Sequence, residues 1–271
     1  MIKIEDLTDL SKKVRLSCLE MAYQCGKNGS HLGAGLSSVE ILTVLFGSVM
    51  NHSSDSPRNL ERDRLVVSKG HCVLAYYSAL REFGYLSDQD IDSFEVNGSE
   101  FHGHAIRNLD RGIEFSGGSL SMGLSFAVGE ALACKRMGYG NRVFVLVGDG
   151  ECDEGLIWEA TMSASHFKLD NLVIVVDCNR LQYDGMTAEI MNHNDLGVKF
   201  SAFGFYVVNV DGHDCLALHD ALSIKMNQPT CVIAHTIKGK GVSFMENNKE
   251  WHHHVLSREQ YELAKEEVES V

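Results

Sequence analysis

The segment Val143-Phe-Val-Leu-Val-Gly-Asp-Gly-Glu151 carries the clearest structural signal in the chain, an apolar run that stops at Gly148-Asp149-Gly150. A second apolar run, Leu172-Val-Ile-Val-Val176, stops in the same way at Asp177-Cys-Asn179. Short β-branched runs bounded by glycine and polar residues are typical of buried strands. The residues between the two runs suit one helical crossover, which predicts two parallel strands that end at the same sheet edge.

Each of these strand ends is followed by a side chain with a hard oxygen atom, Asp149 in the first case and Asn179 in the second. Mg²⁺ prefers such oxygens and completes its octahedron with water and substrate phosphates. The glycines beside Asp149 allow a diphosphate to approach the backbone, and the N-terminus of a following helix favours an anion. The pattern therefore predicts a divalent metal and a diphosphate at this edge of the sheet.

The composition restricts the class of protein. At 271 residues the chain can bury a full core, and we expect a single domain over residues 1–271. A formal net charge of −13 argues against nucleic acid, whose phosphates need a basic face. No apolar run is long enough for a membrane span, and residues 1–6 lack a signal-peptide core, so we expect a cytoplasmic protein. Eight cysteines without a C-x-x-C pair predict reduced, buried thiols.

Strands and helices are expected to alternate along the chain. The predicted strands are 64–67, 142–147, 172–177, 205–210 and 230–235. The predicted helices are 7–25, one after His71 to about Phe83, 120–137, one after Gly150, 194–200, 214–226 and 257–271. A capping box at Ser37-x-x-Glu40 is expected to open another. This order predicts an α/β fold, a mostly parallel sheet with helices on both faces, whose ligands collect at the carboxyl ends of the strands. The glycine-rich segments 26–35 and 97–121 are expected to be binding loops.

Four segments in one order resemble the transketolase family. They are Arg62-Asp-Arg-Leu-Val-Val-Ser-Lys-Gly-His71, similar to R-D-R-x-x-x-S-x-G-H; Gly118-Ser-Leu-Ser-Met-Gly123, where transketolases carry G-[PS]-L-G-[QH]-G; Gly148-Asp-Gly-Glu-Cys-Asp-Glu154-Gly, similar to G-D-G-x-x-x-E-G; and Asp177-Cys-Asn179-Arg-Leu181, similar to D-x-N-x-[IL]. The whole chain is similar to the N-terminal, diphosphate-binding domain of that family. The resemblance implies the thiamine-diphosphate-binding fold, with thiamine diphosphate and Mg²⁺ or Ca²⁺ as cofactors.

The resemblance also implies which residues hold the cofactor. Asp149, the Asn179 side chain and the Leu181 backbone carbonyl would bind the metal. Gly150 would let the backbone contact the diphosphate, and His71 would hydrogen-bond it. Gly118, Ser119 and Leu120 would line the aminopyrimidine ring, and Asn179 and His252 are also assigned to cofactor binding.

Three histidines and one glutamate match residues that act on substrate in the family. His31, His104 and His252 would face the hydroxyl and carbonyl groups of the sugar, because imidazole exchanges protons near neutral pH. His102 is a rival to His104, and His253 or His254 to His252. Glu154 resembles the acidic residue that couples the two active sites of a dimer. The alternative for Glu154 is an exposed carboxylate favoured by the helix dipole.

The resemblance implies that this chain acts with a partner. Full-length transketolases continue with a pyrimidine-binding domain and a C-terminal domain, which this chain lacks. The glutamate that activates the cofactor belongs to the pyrimidine-binding domain, so a second subunit must supply it. The expected reaction is transfer of a two-carbon ketol unit from a ketose to an aldose, and the expected assembly is an α₂β₂ heterotetramer.

Alternatives remain open at this point. The chain could be half of another thiamine-diphosphate enzyme, similar to deoxyxylulose-phosphate synthase or a 2-oxo acid dehydrogenase. It could serve specialised sugar biosynthesis, since Ser121 and Met122 replace a usual glycine and a usual glutamine or histidine. A non-catalytic, cofactor-binding regulatory subunit is the third alternative. The presence of Asp149, Asn179, Glu154 and His71 argues against it, because a decayed site is expected to lose some of them.

Overall fold

Five parallel strands form one sheet in the computed structural model, which describes residues 2–270. The strands are β1 (Arg64–Val67), β2 (Val143–Gly148), β3 (Leu172–Cys178), β4 (Tyr206–Asp211) and β5 (Thr230–His235). Their order in the sheet is β1-β2-β3-β5-β4, and every pairing is parallel. The predicted α/β class is therefore confirmed, and each predicted strand is present within two residues of its expected bounds.

Helices connect and cover these strands. They are α1 (Ile4–Gln24), α2 (Leu32–Leu36), α3 (Val39–Val44), α4 (Val73–Glu82), α5 (Asp88–Asp92), α6 (Met122–Met137), α7 (Gly155–His166), α8 (Thr187–Ile190), α9 (Leu196–Ala202), α10 (Cys215–Ser223) and α11 (Arg258–Ser270). Short 3₁₀ turns at Gly70–Cys72, Gly150–Asp153 and Lys249–His252 lie at strand ends and in loops near the site.

The sheet is buried on both faces, which explains why its strands are apolar without alternation. On β2, Phe144 and Leu146 pack into a core with α1, α3, α4, α10 and α11. The intervening residues Val143, Val145 and Val147 pack into a second core with α6, α7 and α9. Successive side chains of a strand point to opposite faces, so each face needs its own layer of helices. The prediction of helices on both faces is confirmed.

The predicted capping box at Ser37 and Glu40 is wrong. Helix α3 begins at Val39, and its N-cap residue Ser38 makes no side-chain capping bond. The Ser37 hydroxyl instead donates to Asp177 Oδ2 at 2.6 Å. Glu40 is buried and accepts from Arg15 at 2.5 Å and from His213 at 2.9 Å. Both side chains therefore bind partners that are distant in sequence, and they do not form the local capping box that the spacing predicts.

All eight cysteines are buried and free, as predicted. Burial raises the pKa of the Cys18 and Cys72 thiols to about 12, so these groups stay protonated and unreactive near neutral pH. Within residues 2–270 there is also no helix with the length and apolar character needed to cross a bilayer.

Candidate functional site

The oxygen atoms predicted to hold a metal follow two neighbouring strands. Strand β2 pairs with β3 so that Gly148 lies opposite Asp177. Asp149 Oδ2 accepts from the backbone N–H of Arg180 at 2.7 Å, and Arg180 stands between Asn179 and Leu181. The Asn179 side-chain oxygen accepts from the Leu181 N–H at 3.0 Å. These contacts gather Asp149, Asn179 and Leu181 at the carboxyl edge of the sheet.

The donor set of these three residues fits a hard divalent cation. A carboxylate, an amide oxygen and a backbone carbonyl are ligands that Mg²⁺ and Ca²⁺ accept, and both metals add water or phosphate oxygens. Burial, together with the nearby Asp177 carboxylate, raises the pKa of Asp149, so a cation would offset the unfavourable negative charge there. No group of three His, Cys, Asp or Glu side chains suited to a metal occurs in the described part of the chain. A metal here would therefore depend on the Asn179 amide, the Leu181 carbonyl and external oxygens in addition to the Asp149 carboxylate.

A buried ion pair lies behind these oxygens. Lys69 and Asp177 are almost fully buried, and the Lys69 ammonium pairs directly with Asp177 Oδ2. Lys69 also donates to the hydroxyls of Ser37 at 3.1 Å and Ser38 at 3.2 Å. Burial opposes ionisation of Asp177, but Lys69 and the hydroxyls of Ser37 and Thr236 outweigh it, and the pKa of Asp177 is lowered. This network joins the ends of β1 and β3 to the loop before α3.

A cavity of about 280 Å³ opens in front of the oxygen cluster. It is lined by most of the predicted site residues, namely His31, His71, His104, Gly118, Leu120, Asp149, Gly150, Asn179, Leu181 and His252. Ser119 is exposed beside it but does not line it. Glu154 lies outside the cavity, exposed at the N-cap position of α7. The structure thus brings the metal, diphosphate and sugar candidates into one cavity and leaves Glu154 on the surface.

Four imidazoles form one cluster on the wall of this cavity. The His31 ring lies 5.4 Å from His104 and 5.7 Å from His252, and His71 stacks on His252 at 5.1 Å. Burial and neighbouring imidazoles lower the pKa of His31 to about 4. Burial and the Lys238 ammonium lower the pKa of His252 to about 3. These rings are therefore neutral near pH 7, and each can both donate and accept a hydrogen bond.

The three consecutive histidines of the Trp251-to-His254 run point to different surroundings. His252 lines the main cavity. His253 packs against His31 at 4.6 Å and lines a second cavity of about 170 Å³. His254 packs on Trp251 at 4.7 Å, and its backbone exchanges hydrogen bonds with Ser30. Among the three, only His252 lines the cavity that holds the oxygen cluster.

Lys238 is a site residue that the sequence reasoning missed. Its ammonium donates to the Leu181 carbonyl at 3.0 Å and contacts His252 Nδ1 at 2.8 Å. Burial and the Lys69 charge lower the pKa of Lys238 to about 8. Its position just after β5 could have indicated a site residue, because ligands collect at the carboxyl ends of parallel strands. Lys69, just after β1, has the same kind of position, and as a buried charge it needs a partner of opposite charge.

Glu151 was also missed, although it lies within the opening motif. Its carboxylate is buried and accepts from the Ser68 hydroxyl at 2.5 Å, the Ser121 N–H at 2.7 Å and the Gly148 N–H at 2.9 Å. Burial raises the pKa of Glu151. The contact with Ser121 fixes the end of the glycine loop that contains Gly118 and Leu120, so Glu151 shapes one wall of the cavity.

The space above Gly150 is occupied by a side chain of the protein itself. A Cβ atom at Gly150 would lie 2.7 Å from Cγ of Gln182, which lines the same cavity. A side chain at this position would therefore require Gln182 to move. The Gln182 amide in turn donates to Asp153 at 2.7 Å, which holds it over the turn.

Comparison with known proteins identifies the family. A sequence model described as "Transketolase, thiamine diphosphate binding domain" matches residues 9–269. The chain belongs to this transketolase family. An apulose-4-phosphate transketolase subunit of Actinobacillus succinogenes is 43% identical over 242 residues, which cover 89% of this chain and 88% of that protein. The 6-deoxy-6-sulfo-D-fructose transketolase subunit SqwG of a Clostridium species is 37% identical and covers 97% of this chain and 96% of that protein.

Solved structures agree with this assignment. Transketolase from Leishmania mexicana superposes with a TM-score of 0.91 at 25% identity, covering 99% of this chain. Transketolase from Campylobacter jejuni superposes with a TM-score of 0.87 at 30% identity. This chain spans only 42% of each of those chains.

Proposed function

We propose that the chain is the diphosphate-binding subunit of a split transketolase, a cytoplasmic transferase that moves a two-carbon ketol unit from a ketose to an aldose. One observation carries the proposal: a single cavity holds both the oxygen cluster of Asp149, Asn179 and Leu181 and the neutral imidazoles of His31, His104 and His252. The first set suits a metal diphosphate, and the second suits a sugar. Relatives of similar length that are named as transketolase subunits support it.

Different residues of this chain would bind different parts of thiamine diphosphate. Asp149, Asn179 and the Leu181 carbonyl would hold Mg²⁺ (or Ca²⁺), and Gly150 and His71 would contact the diphosphate. Gly118, Ser119 and Leu120 would line the aminopyrimidine ring. When bound, the cofactor supplies a carbon nucleophile and stores the electrons of the broken carbon–carbon bond.

Histidines of this chain would donate hydrogen bonds to the sugar and transfer protons to and from it. The Lys238 ammonium donates to Nδ1 of His252, which leaves the proton of that neutral imidazole on Nε2. Nε2–H can then donate a hydrogen bond to a sugar oxygen. His31 and His104, whose ring centroids lie 5.4 Å apart, would accept the proton of the donor hydroxyl that becomes a carbonyl and return a proton to the acceptor carbonyl that becomes a hydroxyl. Because the rings are neutral near pH 7, none carries a charge that would have to be removed first.

The purified chain is expected to show no ketol transfer, even with excess thiamine diphosphate and Mg²⁺. The proposed activating glutamate belongs to a pyrimidine-binding domain on a second subunit. Activity should appear when that subunit is added, and a coupled assay of aldose consumption measures it. The control is the same mixture with the His31→Ala chain. Turnover by this chain alone, prepared from a host that lacks transketolase, would contradict the split-enzyme proposal.

The substrate of the complex is proposed to be a specialised sugar. Met122 stands at the start of α6, beside the glycine loop that ends at Ser121, and the residue is 51% exposed. The family usually has a polar residue at this position, so an apolar side chain here would change the chemistry beside the glycine loop. Two relatives carry names that refer to apulose 4-phosphate and 6-deoxy-6-sulfo-D-fructose. A panel of phosphorylated, branched and sulfonated ketoses, each with one aldose acceptor, identifies the preferred donor by kcat/KM.

The complete enzyme is expected to be an α₂β₂ heterotetramer. Glu154 is exposed at the start of α7 and is proposed to couple two active sites across a two-fold axis. Light scattering of the co-expressed pair measures the mass, and Glu154→Gln is expected to weaken the coupling between sites without changing the fold. Asp184→Asn, which removes another exposed charge, is the control. An active 1:1 heterodimer that never doubles would show that the Glu154 proposal is wrong.

A further inference from the structure

Glu95 has a backbone conformation that side chains rarely adopt. Its φ is 57°, in the left-handed region that favours glycine. Glu95 follows helix α5 and opens the loop that leads to His104. Strained residues persist only where the surrounding contacts over-determine them, and such residues cluster at functional sites. The contacts of Glu95 therefore indicate which neighbouring residues this conformation holds in place.

Both the backbone and the side chain of Glu95 bind the far end of this loop. The Glu95 N–H donates to the Phe101 carbonyl at 2.9 Å. The Glu95 carboxylate accepts from the backbone N–H of Gly103. A Cβ atom at Gly103 would lie 2.8 Å from Glu95 Oε1, so a larger residue there would displace the carboxylate. The carboxylate therefore fixes the residue that immediately precedes His104.

His104 itself sits in a narrow slot. A Cβ atom at Gly70 would lie 2.9 Å from His104 Cδ2, and the ring meets His31 edge-on at 5.4 Å. Glu95, Gly103 and His104 line the small cavity of about 170 Å³ together with His31. A shift of the Gly103 backbone would therefore move the imidazole relative to His31.

The loop has other contacts that do not involve the Glu95 carboxylate. Tyr77 packs against Phe94 at 6.0 Å and against Phe101 at 5.4 Å. The hydroxyls of Ser93 and Ser99 are hydrogen-bonded at 3.0 Å. These contacts close the loop on both sides of residue 95. The Glu95 carboxylate is thus needed to place Gly103 and His104, not to close the loop.

We propose that Glu95 is a positioning residue for ketol transfer, which acts through Gly103 to hold the His104 imidazole against His31. The inference rests on the proposed role of His104. Glu95 lies outside the motifs that mark this family's site, and this role accounts for its unfavourable backbone conformation.

Two substitutions separate this role from a structural one. Glu95→Gly relieves the unfavourable φ but removes the carboxylate, whereas Glu95→Gln keeps a hydrogen-bond acceptor of the same length. In the complete complex, loaded with thiamine diphosphate, we expect E95G to lower kcat by about 10- to 100-fold with little change in KM. Its thermal midpoint should stay close to that of the wild type. E95Q should retain most of the activity.

The control is Glu100→Gln, which removes a charge from the same loop without a contact to Gly103 and should leave kcat unchanged. The proposal is overturned if E95G keeps the wild-type kcat, if E95Q loses as much activity as E95G, or if the loss of activity follows a loss of stability.

Nuclear magnetic resonance of the full chain makes the test independent of activity. The imidazole signals of His104, identified by their absence in His104→Gln, should shift in E95G and stay in place in E95Q. Such a shift in a complex without ketol transfer would support the positioning contact and count against the proposed function. Unmoved signals in E95G would overturn the positioning role even if the enzyme is a transketolase.

Discussion

Asp149→Ala is expected to abolish metal-dependent binding of thiamine diphosphate. The variant removes the only carboxylate among the proposed ligands and leaves an amide and a carbonyl oxygen. Loss of outer contacts at metal sites costs about 10- to 100-fold in affinity, so loss of this ligand should exceed about 100-fold. Isothermal calorimetry on the complex, with and without Mg²⁺, measures the effect.

Asp184→Ala is the matched control for this measurement. Asp184 is exposed on the neighbouring loop, and its side chain does not line the cavity. The control should bind the cofactor as tightly as the wild type, which excludes a general effect of the lost charge. Circular dichroism should show that Asp149→Ala remains folded, although it loses the hydrogen bonds from Gly150 and Arg180. Unchanged cofactor affinity in the folded Asp149→Ala complex would exclude Asp149 as a metal ligand.

Lys69→Met is expected to lower the free energy of unfolding by about 3–5 kcal/mol, the cost of leaving one partner of a buried ion pair unpaired. The Asp177 side chain is fully buried, so no solvent can replace the lost ammonium. Methionine has a similar length and keeps the packing, which confines the change to the charge. Urea unfolding of the full chain measures the effect.

Lys135→Met is the matched control for the ion pair. Lys135 pairs with Asp170 at 2.7 Å, but both side chains are about two-fifths exposed. Exposed pairs contribute about 0–1 kcal/mol, so this identical substitution should cost little. Equal losses in the two variants would mean that burial of the Lys69–Asp177 pair has no special energetic consequence. A second result is expected from Lys69→Met: weaker cofactor binding, because Lys69 lines the cavity.

Much of the fold could be predicted because its signals are local. The apolar run before Gly148 and the run before Asp177 each mark a strand that is buried on both faces. Residues with hard oxygens directly after these strands indicated where a ligand would bind, since parallel strands end at one edge. The family motifs then named the individual residues. Each of these signals lies within a few consecutive residues.

The wrong or missing assignments concern side chains whose partners are distant in sequence. Ser37 and Glu40 have the spacing of a capping box, but Asp177 lies 140 residues from Ser37 and Arg15 lies 25 residues from Glu40. Local spacing cannot reveal that such a partner will compete. The same reason explains why Lys238 was missed, since its contacts with Leu181 and His252 arise only when three loops meet.

The sequence by itself determined the parallel α/β sheet, the edge at which ligands collect and the transketolase family, because periodicity and short motifs encode them. The tertiary structure alone decided which groups share the cavity and which protonation state each of them has. Burial of His31 and His252 beside other basic groups makes their imidazoles neutral. The Lys69 ammonium and the neighbouring hydroxyls keep the Asp177 carboxylate charged although it is buried. These protonation states follow from desolvation and from the distances between charges, and both exist only once the chain has folded.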